Sequence, residues 1–405
     1  LPSPLHHLAT HPLELSLVLE MPALLPAGVD PDGLLEYSVV YTDRALNHMS
    51  ASFQEVMKDL SASLKRTYNA EAVVIVPGSG TYGMEAVARQ FGTNKHTLVI
   101  RNGWFSYRWT QILEQGGIAK SCTVMQARRS SPGDTSPFAP PPIEEVVRKI
   151  KEERPAVVFA PHVETSAGII LPDSYISSLA EAVHSVGGLM VLDCIASGCL
   201  WVDMKKLGVD ALISAPQKGW TGPACCAMVM MSAAAVSACG STKSSSFTLD
   251  LAQWLKVMRA YEGGGHMYHA TMPTDALRAF RQVLAEGEAY GLAKLRDQQV
   301  ALGGAVRALL QDKYGFKSVA AEGYQAPGVV VCYTSHPTWK SGEAFMKEGM
   351  QIAAGVQLAL DEGSSYSSFR VGLFGMDKLR DVKRTVGLLD KVVKTLNSKA
   401  ARARL

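Results

Sequence analysis

Three short stretches put chemically useful side chains just past apolar runs. The first runs from Val73-Val-Ile-Val76 through Gly78-Ser79-Gly80-Thr81 into a helical pattern, so backbone N–H groups and two hydroxyls gather where a helix begins. Such a turn suits a phosphate. The second, Leu189-Met-Val-Leu-Asp193, is apolar until its last residue. A carboxylate there can hold a protonated ring nitrogen and keep a ring cationic, which makes it a better electron sink. The third, Ser214-Ala-Pro-Gln-Lys218-Gly-Trp220, places a lysine beyond another apolar run with little charge nearby. Partial desolvation lowers an amine's pKa and makes it a nucleophile toward an aldehyde. Each stretch also has a plainer reading. Glycines turn strands into helices without any ligand, an Asp caps helices and turns, and most lysines are solvated. Together they occur in the order that one sheet could converge on a phosphorylated, ring-bearing group.

The first stretch also matches G-x-G-x-x-G at Gly78, Gly80 and Gly83, so a dinucleotide-binding oxidoreductase is a rival reading. That fingerprint calls for an acid about 20 residues on, at the end of the next strand, to hold a ribose. Here the next run ends Val99-Ile-Arg-Asn-Gly103.

The elements that must position these residues follow from periodicity. From about residue 71, short β-rich runs alternate with longer helical patterns, which predicts βαβ units and a mostly parallel sheet. Strands are expected at 72–76, 97–101, 156–160, 189–193, 211–214 and 227–231, with amphipathic helices at 81–91 and 173–186 between them. A Ser- and Pro-rich segment at 130–142 reads as a surface loop. A helical pattern at 274–312 leads out of the sheet. A strand at 328–333 and a terminal helix at 377–398 belong to a smaller α+β unit. The expected division is an N-terminal arm (1–45), a large ligand-binding domain (46–280) and a small C-terminal domain (281–405). No internal repeat is visible.

Composition narrows the class of protein. With 405 residues, 47% hydrophobic and 19% charged, the chain can bury a large core and is too apolar to be disordered. A net charge of +3, from 40 basic and 37 acidic residues, gives no reason to expect nucleic acid or an anionic membrane as partner. The seven cysteines show no metal-binding spacing and read as reduced, mostly buried thiols, so no metal is expected. The uncharged stretch at 219–242 opens with Gly and Pro, and its continuous apolar part is too short to span a membrane. It reads as a buried strand. No Lys or Arg precedes Arg44, unlike an Arg-rich mitochondrial transit peptide, and a start at Leu1 rather than Met fits removal of a preceding segment. The last residues, Ala403-Arg404-Leu405, are either a small–basic–Leu variant of the peroxisomal S-K-L address or a frayed basic helix end. Without such an address the expected location is cytoplasmic.

At His162-Val-Glu-Thr-Ser-Ala-Gly168, Asp193-Cys-Ile-Ala-Ser197 and Ser214-Ala-Pro-Gln-Lys218 the chain resembles the class V aminotransferases of fold type I, especially the alanine–glyoxylate and serine–pyruvate group. The likeness runs from about Asn47 to the C-terminal helix. It implies an α/β fold with a large, mostly parallel sheet and a smaller α+β domain, and pyridoxal 5'-phosphate (PLP) as cofactor. Lys218 would carry the cofactor covalently, Asp193 would bond its ring nitrogen and Ile195 would pack on the ring. Ser79, Gly80 and Thr81 would hold its phosphate, with Gln217 reaching the same group. Phe105, favoured over Trp104, would stack on the ring, and Thr165 would reach its hydroxyl region. Tyr268 and Thr271 resemble a pair lent by a neighbouring subunit, which implies a homodimer with shared sites. Arg370 would clamp the substrate carboxylate, a task for a planar fork that lysine lacks.

This chain departs from the family at Tyr37-Ser-Val-Val-Tyr-Thr-Asp-Arg44, where members commonly show a Gly-Pro-Gly-Pro-like turn that often touches substrate. His48 lies near the family's substrate entrance and reads either as a site contact or as a structural hydrogen bonder. The expected reaction is transamination between a small amino acid (alanine or serine) and a small 2-oxo acid (glyoxylate or pyruvate). Alternatives are 2-aminoethylphosphonate–pyruvate transamination, a cysteine desulfurase-like activity and, in another class, a nicotinamide-dependent oxidoreductase. A desulfurase would set His over the ring and a reactive Cys on a mobile loop, whereas the stacking candidate here is Phe105 and Cys332 sits in an apolar pattern. A catalytically silent homologue is disfavoured by retention of Lys218, Asp193 and Arg370 together.

Overall fold

The structure, a computed structural model, describes residues 34–402. Residues 1–33 and the terminal Ala403-Arg404-Leu405, with the expectations attached to them, lie outside the described residues. The centre is a seven-stranded sheet of β1 (Ala72–Pro77), β2 (His96–Arg101), β3 (Ser121–Gln126), β4 (Val157–Pro161), β5 (Leu189–Asp193), β6 (Ala211–Ser214) and β7 (Cys226–Met231). Their spatial order is β1-β7-β6-β5-β4-β2-β3. Six strands share one direction, and β7 runs antiparallel to both of its neighbours. All residues of β4, β6 and β7 are buried, because helices cover both faces. Continuous apolar runs rather than alternating ones are the sequence form of such a sheet.

Among the described residues, strand β1 is at one edge of this sheet and pairs there with β7 alone, antiparallel. A dinucleotide fold instead places the glycine turn after a central strand with parallel neighbours. The turn at Gly78–Gly83 therefore serves a different architecture. Helix α1 (Ala51–Tyr68) is capped by the Ser50 hydroxyl, which accepts from Phe53 N at 3.1 Å. It packs Phe53, Met57, Leu60 and Leu64 into the first core. Helices α2 (Gly80–Phe91) and α3 (Trp104–Gln115) leave the C-terminal ends of β1 and β2.

The helical pattern at 274–312 resolves into two helices, α4 (Thr274–Tyr290) and α5 (Leu292–Ala308), followed by a π-helical turn at Leu309–Lys313. The break is at Gly291, whose φ of +104° lies outside the helical range and favours glycine. A second core of Leu302, Val306, Phe345, Phe369 and Val393 lies beyond this break. It holds an antiparallel sheet ordered β8 (Val329–Tyr333), β10 (Ser368–Gly372), β9 (Ala353–Ala354). The terminal helix is also interrupted. A short turn at Met376–Arg380 precedes α6 (Val382–Arg402). A third apolar cluster, in which Val163, Ala167 and Ala196 meet Val329 and Val331, joins the two sheets.

The loop expected at 130–142 is partly a strand, Phe138–Ala139, paired with Arg128–Arg129. The Phe138 ring is buried and its N–H reaches Val319 O at 2.7 Å, so the segment is pinned to the second unit. No helix among the described residues is long and apolar enough to cross a membrane. The uncharged stretch at 219–242 contains β7.

Candidate active site

The C-terminal ends of β1, β5 and β6 open on one cavity, lined by Ser79, Gly80 and Thr81 on one side and by Asp193, Ile195, Gln217 and Lys218 on the other. Phe105 and Thr165 add to the lining from α3 and from the turn after β4. Ligand sites form beyond the carboxyl ends of open α/β sheets because diverging loops leave a crevice there. Helix α2 begins at Gly80, with Ser79 as N-cap but without a side-chain capping bond. Its first amides and the Ser79 hydroxyl are thus left for an anion. A Cβ on Gly80 would fall 2.5 Å from Ile195 Cδ1, so any larger residue there would push the Ile195 side chain aside. The loop after β6 is seated in the same way. A Cβ on Gly219 would fall 2.0 Å from Gly198 O, which locks the segment carrying Lys218 onto the one carrying Asp193 and Ile195.

Charge is unevenly matched in this cavity. Asp193 is buried and its Oδ1 accepts one hydrogen bond, from Ile195 N at 2.9 Å. Burial pushes its pKa up to about 7, with the nearby Glu164 adding to the shift. Lys218 is half-buried and its amine lies 5.5 Å over the Phe374 ring. Burial lowers its pKa, and the guanidiniums of Arg370 and Arg108 lower it further against the opposing pull of Asp193. A carboxyl that resists ionisation and an amine that resists protonation in one cavity are the hallmark of a chemical site. Arg370, from β10, donates to Ala354 O at 2.7 Å and reaches toward Thr165 O at 3.5 Å. Its Cζ stands 5.7 Å from the centre of the Phe105 ring, beside the cavity rather than among the residues that line it.

Three further residues shape the site: Arg108, which no motif marks, and Glu164 and His162, which belong to the motif at 162–168. Arg108 lines the cavity, donates to Thr81 Oγ1 at 2.9 Å and sets its Cζ 5.4 Å from the centre of the Phe105 ring. It sits one helical turn after Phe105, and that spacing is the only sequence hint that both share a face. Glu164 is fully buried against the start of α3. His162 donates its backbone N–H to Asp193 O at 2.8 Å, while its ring contacts Ser197 Oγ at 2.7 Å and burial lowers its pKa to about 4. It therefore supports the Asp193 loop as a neutral ring.

Tyr268 and Thr271 contact each other, hydroxyl to hydroxyl, at 3.0 Å, but they are exposed and do not line the cavity around Lys218. His48 is buried in a group of rings, with Tyr41, His266 and Tyr268 at centroid distances of 5.5, 5.8 and 5.6 Å, and it too does not line the cavity. Cys332 is fully buried in β8. It offers no mobile thiol of the sort a desulfurase uses.

Comparison with known proteins adds the family. The family described as Aminotransferase class-V matches residues 32–384. The 2-aminoethylphosphonate–pyruvate transaminase of Vibrio vulnificus is 26% identical over 347 residues, covering 84% of this chain and 88% of that protein. Among solved structures, an aspartate aminotransferase of subgroup IV from Thermus thermophilus superposes with a TM-score of 0.72 at 24% identity, covering 87% of this chain and 94% of that one. An alanine–glyoxylate aminotransferase from Nostoc sp. gives a TM-score of 0.71 at 21% identity, with 85% and 88% covered.

Proposed function

The chain belongs to the class V aminotransferases, which are PLP-dependent enzymes of fold type I, and on that premise we propose that it moves the amino group of alanine or serine onto glyoxylate or pyruvate. The observation that carries the reading is the half-buried Lys218 amine sharing a cavity with the buried Asp193 carboxyl, beside a guanidinium from the second unit.

The residues present fit the cofactor. Asp193 has one hydrogen-bond donor and a raised pKa, so a protonated ring nitrogen is the partner its second oxygen lacks. The uncapped start of α2 suits a phosphate. Ser79, Gly80, Thr81 and Gln217 would hold that phosphate, Phe105 and Ile195 would sandwich the ring, Thr165 would meet its hydroxyl and Lys218 would hold it covalently. When bound, the cofactor supplies an electron sink for the bond broken at the substrate's Cα. Lys218 Nζ, once free, would take the substrate's Cα proton as general base and give it up again as general acid. A lowered pKa favours the neutral amine, the form that can act as base. Arg370 orients the substrate by its carboxylate, two parallel N–H donors to two oxygens.

A second reading, with 2-aminoethylphosphonate as donor, is favoured by the likeness to the 2-aminoethylphosphonate–pyruvate transaminase of Vibrio vulnificus. The proposal extends to a homodimer in which Tyr268 and Thr271 complete the partner's phosphate site, which their exposure away from their own cavity supports. It also extends to a peroxisomal address at Ala403-Arg404-Leu405, supported by that tripeptide alone.

Borohydride treatment of the purified protein followed by peptide mass analysis is the direct test. The cofactor mass should appear on Lys218 and vanish in Lys218→Ala. Attachment elsewhere in that variant overturns the assignment. Following the visible absorbance of the wild-type enzyme with a panel of amino donors then separates alanine and serine from the phosphonate.

A further inference from the structure

We propose that Glu164 is a positioning residue for the stacking ring: its carboxylate holds the start of α3 so that Phe105 stays over the cavity at a fixed distance from Thr165. This rests on the cofactor reading above and goes beyond it, since Glu164 lines no part of the cavity. The side chain is fully buried, and its carboxylate accepts five hydrogen bonds. Glu164 Oε2 accepts from Ser106 N at 2.8 Å and from Ser106 Oγ at 2.7 Å. Oε1 accepts from Phe105 N at 3.2 Å, Ser166 N at 3.0 Å and Ser166 Oγ at 2.7 Å. The Ser166 hydroxyl in turn accepts from Trp104 N at 2.9 Å. The first three amides of α3, those of Trp104, Phe105 and Ser106, are thus all bound by the Glu164–Ser166 pair.

The same pair flanks Thr165, whose side chain lines the cavity and whose carbonyl faces Arg370 at 3.5 Å. One carboxylate therefore fixes the stacking ring against the residue that meets the cofactor's edge and against the clamp for substrate. A glutamine could not do the same, because its amide would turn a donor toward donors. The approach is close enough to exclude a side chain at Gly103, whose Cβ would fall 2.2 Å from Ser166 Oγ and 2.7 Å from Glu164 Cγ. Helix starts are satisfied elsewhere in this chain by a single short side chain, as at Ser50 and Asp250. Burying a full charge for the same purpose is costly, and here it secures the placement of one ring.

The test is a double-mutant cycle on cofactor affinity, read as quenching of tryptophan fluorescence when PLP is added to cofactor-free protein. Glu164→Gln and Phe105→Ala should each weaken binding by about ten-fold, the scale of one lost charge-assisted bond. If Glu164 acts through the ring, the double variant binds no more weakly than Phe105→Ala alone. Glu164→Gln should also reduce the visible circular dichroism of the bound cofactor, which a purely structural loss would leave unchanged per bound molecule. Losses that multiply in the double variant, or an unaffected affinity in Glu164→Gln, overturn the proposal. Should Glu164→Gln fail to fold, Ser166→Ala enters the same cycle with the same two outcomes. Lys218→Ala, run alongside, keeps the two claims apart. Covalent attachment that survives in that variant defeats the cofactor reading, whereas multiplying losses with Lys218 intact defeat only the role of Glu164.

Discussion

The Asp193 carboxyl gives up most of its hydration for one N–H, from Ile195, and its pKa rises from 3.8 to about 7. The unfolded chain releases this proton near the ordinary value while the folded chain keeps it. Folding stability is therefore undiminished below the unfolded pKa and is lost as pH rises through the window up to about 7. Cofactor-free Asp193→Asn should accordingly be more stable than wild type by on the order of 2–4 kcal/mol at about pH 8, with a smaller gain at about pH 5. Urea denaturation of both proteins at the two pH values checks this, and an equal gain at both would show that burial of the charge is not the cause. The strand-end position that creates this strain also makes Asp193 legible in sequence, as it does Lys218. An apolar run that stops at one polar residue marks a place where the sheet delivers a functional group. Arg108 and Glu164 carry no such mark. Arg108 reaches Thr81, 27 positions away in the chain, and Glu164 reaches Ser106 across 58, so only the folded sheet brings these partners together.

At the scale of elements, the site depends on two loops stacked without side chains between them. The ideal Cβ of Gly219 meets backbone at Gly198 O, which cannot rotate away as a side-chain tip could. Gly219→Ala should force the loops of Lys218 and Asp193 apart, costing about 1–3 kcal/mol of stability by overpacking together with most of the cofactor affinity. Gly240→Ala is the matched control. It lies in the helix Ala233–Ser241 with nothing near its Cβ, so alanine there should be neutral or slightly stabilising. Thermal unfolding with and without PLP measures both. Legibility of the elements follows burial. Strands β5 and β6 match the expected limits because each is apolar up to one polar last residue and cuts off sharply. Strand β3, Ser121–Gln126, went unmarked because it is the half-exposed far edge of the sheet and mixes Cys, Thr and Gln into its run. The pattern at 274–312 reads as one helix because the apolar period continues past Gly291, and only the positive φ there ends the first helix.

For the whole molecule, that break bears on where its two units meet. Helix α4 is continuous through residue 280 and places Leu284 in the first core, whereas Leu295 of α5 belongs to the second. We propose Gly291, rather than residue 280, as the boundary. Arg370 then comes from the small unit and Lys218 and Asp193 from the large one, and in the proposed homodimer Tyr268 and Thr271 of another copy would finish the phosphate cradle. Shared sites of this kind make a distinctive prediction, because a two-fold interface exchanges the same residues in both directions. Lys218→Ala protein lacks the covalent anchor but can lend its tyrosine and threonine. A Tyr268→Ala/Thr271→Ala chain keeps the anchor but has nothing to lend. Unfolded together and refolded, the two should recover roughly one-quarter of wild-type activity, since random pairing makes half the dimers mixed and each mixed dimer holds one complete site. Either protein refolded alone should stay near its own low level. Activity no greater than the sum of the separate preparations would mean that each chain builds its site unaided, and the exposed Tyr268–Thr271 pair would then need another explanation.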